Sequence, residues 1–252
     1  MTDDERKLFH KLSEDRKQSA QMLEKPSMRG IKNSVVEKYS DQAHFIYELI
    51  QNADDVGATY ARFDLYEKLL VFVHNGKRWF SVTDVEKEEE DSKRGTTGDL
   101  NAITSIANSN KTAASIGKFG VGFKAVFQYT TTPLIYDPNI AFRIERFIVP
   151  VEIENNSRFR REKETAFVFC FDHPERSPQE AYQDVLRKLL NLDFPTLFLN
   201  NLLKVSYRAG TIQGVYEKTI VKEIEKSGTI CQQIYYRNGR NDHRSRMWLF
   251  SR

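Results

Sequence analysis

The chain has 252 residues, with 38 Lys and Arg against 35 Asp and Glu and a formal net charge of +3. The length is ample for a real core in one large domain or two small ones, and 17 Phe with 11 Tyr exclude a disordered chain. Near-balanced charge gives no bulk argument for nucleic acid, Cys170 and Cys231 alone build no disulfide framework or metal cluster, and no apolar run is long enough to cross a bilayer.

The N-terminal run Met1–Lys7 is charged and lacks the apolar stretch of a signal peptide, so a cytoplasmic chain is expected. Thr2 and Glu5 have capping-box spacing, which predicts a charged helix to about Lys25, ended by Pro26. A second helix is predicted over Ile31–Tyr39. Ser40 then caps a third, from Asp41 to about Asp54, ending near Gly57. Residues 61–74 alternate as a hairpin with Ala61, Phe63 and Leu65 inward. Lys77–Gly98 is polar, and its acidic run Glu86–Asp91 reads as a solvated helix face or loop. Residues 95–115 are rich in Gly, Thr, Ser and Asn around a short helical pattern at Leu100, Ile103 and Ile106, a candidate mobile lid. Strands are expected within Pro133–Ile153 and around Phe167–Phe171, where Cys170 reads as a buried core thiol. A helix follows at Glu180–Leu192, then β-type runs at Lys204–Tyr207, Val215–Ile224, Thr229–Tyr236 and Met247–Phe250. The stop shortly after that last apolar run suggests a piece of a longer protein.

Two motifs carry chemistry. At about 100° per residue, Glu48, Asn52 and Asp55 share one face of the third helix, while Ile46, Ile50 and Ala53 project from the other. A carboxylate one turn before an amide can activate a water while the amide oxygen binds Mg²⁺. The same pattern also suits a plain polar helix face. Downstream, Ile116-Gly117-Lys118-Phe119-Gly120-Val121-Gly122-Phe123-Lys124 places three glycines in six residues ahead of an apolar helical run to Tyr129. Backbone N–H groups and a helix N-terminus can there wrap a triphosphate, with Lys111 and Lys118 adding charge. The order G-x-x-G-x-G is not that of dinucleotide or kinase loops, and no P-loop signature occurs. Together the motifs read as a nucleotide site.

These motifs, in this order and separated by a hairpin and a small-residue lid, resemble the GHKL ATPases. Ile116–Phe123 is similar to the phosphate loop of the ninety-kilodalton heat-shock chaperones, and Ser105–Lys111 to their lid. Ala43–Asp55, Val73–Gly76 with Trp79–Val85, and Leu197–Leu202 resemble the sacsin-type branch. The resemblance implies an α/β Bergerat fold, a two-layer sandwich of a mixed, mostly antiparallel sheet with helices on one face, here with a β-rich C-terminal extension. It implies Glu48 as general base and Asn52 as the Mg²⁺ ligand. Asp55 would line the pocket of ATP or ADP. Gly117, Lys118, Phe119, Gly120, Val121, Gly122 and Phe123 would wrap the phosphates, and Thr165 would support the adenine pocket. Where the superfamily usually has an aspartate that reads adenine, this chain has His74-Asn75-Gly76. Asn75 can accept through its amide oxygen, an uncharged contact. His74 suits either a ligand contact or a structural role.

The expected organisation is an N-terminal helical segment at 1–27, a nucleotide-binding domain at 28–175 with a lid at about 93–116, and a C-terminal part at 176–252 that completes or extends it. The expected activity is Mg²⁺-dependent ATP binding with slow hydrolysis that closes the lid. The alternative is a non-catalytic nucleotide switch or scaffold. Expected partners are neighbouring domains of a longer protein and, by the resemblance, a nucleotide-dependent second copy. The basic, Tyr-flanked stretch Arg237–Arg246 permits nucleic-acid contact, although a solvated loop explains the same composition. No membrane partner is expected.

Overall fold

Thr2 opens the first helix, α1 (Asp3–Leu23): its hydroxyl accepts from Glu5 N–H at 3.2 Å, and the Glu5 carboxylate accepts from Thr2 N–H at 2.8 Å. The expected capping box is therefore formed. In this computed structural model the described residues are 1–28, 30, 44–105, 121–226, 229–239 and 243–251. The predicted helix at 31–39 and its successor's cap at Ser40 lie outside them. The next described helix, α2, covers His44–Asp55. It ends as expected at Gly57, whose φ of 73° lets its N–H reach Asp54 O at 2.8 Å. Two short helices follow, α3 (Glu88–Arg94) and α4 (Asp99–Thr104), and α5 (Pro178–Leu190) carries a second capping box, Ser177 with Glu180.

The strands are β1 (Tyr60–Tyr66), β2 (Leu69–His74), β3 (Leu134–Tyr136), β4 (Ala141–Glu145), β5 (Val149–Glu152), β6 (Thr165–Cys170), β7 (Lys204–Ala209), β8 (Ile212–Lys226), β9 (Thr229–Asn238) and β10 (His243–Ser251). They form one ten-stranded sheet in the order β10-β9-β8-β7-β1-β2-β6-β3-β4-β5. The β1–β7 pairing is parallel and the other described pairings are antiparallel. The sheet is thus mixed and mostly antiparallel, as the resemblance implied.

Period-2 alternation assigns the two faces. Phe63 lies opposite Phe72, and Phe72 opposite Phe167, with ring centroids 4.6 and 5.9 Å apart. Phe9 and Leu12 of α1, Ile46, Leu49 and Ile50 of α2, Ile103 of α4 and Val185 of α5 join this same core. The opposite face holds a smaller cluster, Val71, Val73, Ala166 and Val168, against which Phe159 packs and to which no helical residue belongs. The described helices therefore cover one face. Cys170 ends β6 half-buried rather than fully buried, because it sits at the strand's last position.

The run after the glycine motif, Val121–Gln128, is helical as expected but of the tighter 3₁₀ type. Eight residues is long for that geometry. Its Lys124 is fully buried and donates to Ile103 O at 2.8 Å and Phe147 O at 2.9 Å. It thereby ties the 3₁₀ helix to the end of α4 and to the β4–β5 turn.

Candidate functional site

Helix α2 buries Ile46, Ile50 and Ala53 completely, which fixes its rotation and turns Glu48 toward the 3₁₀ helix. The contact between the two is close. A Cβ built on Gly122 would overlap Cγ and Cδ of Glu48. Only glycine lets that backbone lie against the Glu48 side chain. One turn on, Asn52 is 6% exposed, and its Nδ2 has no hydrogen-bond partner among the described residues. A buried amide N–H left unpaired costs about 1–3 kcal/mol.

Asp55, a further turn along, is exposed as a residue. Its carboxyl nevertheless lies partly against protein, and that desolvation raises its pKa to about 6. Asp54 and Glu48 push in the same direction, and Arg78 opposes them. Arg78 is itself held by Asp99, at 2.6 Å to Oδ1. Asp99 also accepts from the Ser81 hydroxyl at 2.9 Å.

The hairpin end meets the C-terminus of α2. A Cβ on Gly76 would overlap Val56 Cγ2 and lie 3.0 Å from His74 Nδ1. Lys77 N–H donates to Val56 O at 2.8 Å. Asn75 does not face this junction with a free amide. Its Oδ1 accepts from Thr59 N–H at 2.9 Å and Tyr60 N–H at 3.0 Å, and its Nδ2 donates to the Thr59 hydroxyl at 2.9 Å. The group expected to read a base is instead engaged in anchoring the start of β1. His74 is fully buried and accepts from Gly76 N–H at 3.1 Å. Burial lowers its pKa to about 4, which fits the structural role. Across the sheet Thr165 pairs with His74 and donates to Asp137 Oδ2 at 2.6 Å. Burial raises the Asp137 carboxyl above its ordinary range. Val56, His74, Arg78, Phe80, Asp137 and Thr165 line a cavity of about 10 Å³, room for one water and none for a nucleobase.

The structure thus brings Glu48 against Gly122, with Asn52 one turn further along α2 and Phe123 buried. Asp55 and Gly76 lie at the C-terminal end of α2, and Thr165 stands beyond them across β2. Lys111, Gly117, Lys118, Phe119, Gly120 and the lid from 106 to 116 lie outside the described residues. Sequence reasoning missed Asp54. Its carboxylate accepts from the backbone N–H groups of Asn201 at 2.6 Å, Leu202 at 2.7 Å and Asn200 at 3.2 Å. The signal was present, because Asp54 lies four residues after Ile50 on the buried face, where a carboxylate must find donors. The basic stretch was expected to suit a loop. Instead Arg237 lies on β9, and Arg244 and Arg246 lie on β10.

The model of the Sacsin domain matches residues 24–144. That span holds every candidate site residue except Thr165. Human Sacsin is 30% identical over 131 residues, covering 44% of this chain and 3% of that protein. The chain therefore spans about 3% of the length of that relative. Among solved structures, the B-subunit of the DNA gyrase from Myxococcus xanthus is similar at a TM-score of 0.43 and 10% identity, over 82% of this chain and 67% of that one. Over residues 24–144 the chain is similar to the Sacsin domain, in keeping with its resemblance to the sacsin-type branch.

Proposed function

We propose that α2 and the start of the 3₁₀ helix form the polyphosphate end of a site that binds ATP with Mg²⁺ and hydrolyses it slowly. The observation that carries this reading is the packing of Glu48 on Gly122, with the Asn52 Nδ2, which has no partner among the described residues, one turn away. The donor set fits a hard cation. Mg²⁺ keeps several waters and takes few protein oxygens beside substrate phosphates, so one amide suffices, and its other end can donate to a phosphate oxygen. When bound, the ion would neutralise charge on the phosphates. Glu48 would hold the attacking water and take its proton. Asp55, with its raised pKa, would sit beside anionic phosphate at less electrostatic cost than an ordinary carboxylate.

In this reading residues 28–175 form the nucleotide-binding unit with its lid at about 93–116, and 176–252 completes the sheet. The unit would act on neighbouring domains of a longer cytoplasmic protein, or on a second copy engaged when nucleotide binds. A second reading is a non-catalytic nucleotide switch or scaffold. The 10 Å³ cavity and the engaged amide of Asn75 favour the scaffold, since both leave the base end closed.

Isothermal titration with ATP, ADP and GTP, each with and without Mg²⁺, tests binding. Absence of any heat with all three would overturn the ATPase and the switch and leave the scaffold. Phosphate release then separates them. Glu48→Ala should bind MgATP as the unmodified chain does and release no phosphate, whereas equal release from both proteins removes Glu48 as the base. Asn52→Ala should lose the Mg²⁺-dependent part of binding.

A further inference from the structure

The face of the sheet on which no described helix packs has a chemistry of its own. Residues paired across strands share a face. The register therefore places Arg62, Ser206 and Val215 in one row, and Asp64, Arg208 and Gln213 in the next. Glu217, Arg237 and Arg244 form another row, and Thr219, Tyr235 and Arg246 the one after it. Their neighbours Ile234 and Tyr236 turn the other way and are buried. Arg62, Asp64, Ser206, Arg208, Gln213 and Arg237 line a concavity of about 410 Å³. Ion pairs tie Arg62 to Glu164 at 3.1 Å and Arg208 to Asp64 at 3.1 Å.

Toward the sheet edge the balance changes. Arg237 stands between Glu217 on one side and Arg244 on the other, and Arg246 lies in the next row. Beside them the Arg246 guanidinium lies 5.3 Å from the Tyr235 ring centroid. Tyr235 is 45% and Trp248 52% exposed. Trp248 pairs with Gln233, two residues from Tyr235, so the two rings are diagonal neighbours at ~7–8 Å between Cα atoms. Guanidinium groups that bind phosphate, next to exposed rings on an open sheet, match the two parts of sequence-tolerant single-strand recognition. A duplex offers phosphates but no free base faces, and an acidic peptide offers carboxylates but nothing to stack.

We infer that the outer face of β8–β10, with the arginine-lined concavity beside it, is a binding surface for single-stranded nucleic acid. Phosphates lie along Arg237, Arg244 and Arg246, and bases stack on Tyr235 and Trp248. This surface is separate from the Glu48 site and stands or falls independently of it.

The test is fluorescence anisotropy of the 252-residue chain with labelled oligo-dT and oligo-rU of about 20 nucleotides, at about 50 and 200 mM salt. Salt-sensitive binding of both strands is expected. The doubly substituted Arg244→Glu, Arg246→Glu chain should bind at least about tenfold more weakly and show a shallower salt slope. Tyr235→Ala with Trp248→Ala should weaken binding by at least about tenfold with the slope kept, and Tyr235→Phe should bind normally. In a Trp79→Phe background, oligonucleotide should quench the emission of Trp248. This measurement decides the matter if the multiple variants fail to fold. No binding at the lower salt, affinity matched by a duplex or by poly-glutamate, variants that bind as the parent does, or unquenched Trp248 would each overturn the inference.

Discussion

Glu48 and Gly122 are 74 residues apart in sequence, yet the backbone at Gly122 lies where the Glu48 side chain passes, with no space between them for a methyl group. Placing a side chain at residue 122 therefore acts on the carboxylate itself. Gly122→Ala must swing Glu48 away or push the 3₁₀ helix off α2. A reacting group misplaced by about 1 Å costs on the order of 100-fold in rate. Under the proposed ATPase activity, phosphate release should fall by at least that factor, while circular dichroism shows the sheet intact. Unchanged turnover in a folded Gly122→Ala protein would detach Glu48 from the chemistry.

The amide of Asn75 makes three hydrogen bonds to Thr59 and Tyr60, each of 2.9 to 3.0 Å. These satisfy the two backbone donors at the start of β1. Asn75→Ala should therefore be read in stability, at about 1–3 kcal/mol for the donors left unpaired. The preference for ATP over inorganic triphosphate should stay the same. Chemical denaturation and competition titration check the two halves. A variant of parental stability with altered base preference would return Asn75 to the pocket.

Much of the architecture was legible because its causes are local. The capping boxes at Thr2 and Ser177, the stop at Gly57 and the alternation of Tyr60–Tyr66 each state their geometry within a few residues. The helix face of Glu48, Asn52 and Asp55 followed from angular spacing alone. What stayed hidden depends on partners distant in sequence. Asp54 needs the backbone donors of residues 200–202 to explain its burial. Asn75 looked like a ligand group because its true partners, Thr59 and Tyr60, are reached only when the hairpin closes. The arginines near residue 240 read as a loop by composition. Only the β9–β10 register shows Arg244 facing Arg237.

Asp55 provides a pH signature. Its folded pKa of about 6 lies above the ordinary value of 3.8, so between these values the folded chain holds a proton that the unfolded chain has released. Stability conferred by that proton is present at low pH and is lost as pH rises from about 4 to 6. Asp55→Asn cannot titrate. The difference in denaturation midpoint, variant minus parent, should grow in favour of the variant across that window and level off above it. A difference that is flat with pH would show that Asp55 is not desolvated.

Lys124 gives the opposite slope in a higher window. Burial, reinforced by the charge of Arg16, lowers its pKa from 10.5 to about 7. A neutral amine has two N–H groups, and the side chain has two carbonyl partners, Ile103 O and Phe147 O. Phe147 itself sits at a φ of 77°, a conformation that costs a bulky residue energy. The amine bonds its carbonyl and lies 5.0 Å from its ring centroid, which helps hold the turn. Between pH 7 and 10.5 the unfolded chain carries a proton the folded chain has shed, so stability rises with pH through that window. Lys124→Met removes both the titration and the two hydrogen bonds. The variant should be less stable by about 2–4 kcal/mol near pH 9, given two buried carbonyls without donors. Its deficit should shrink as pH falls toward 7, where the parent bears the cost of a buried charge. Urea midpoints for both proteins across that range measure the difference. A deficit that does not shrink toward pH 7 would mean that Lys124 stays charged across the range and that the cation itself is what the site holds.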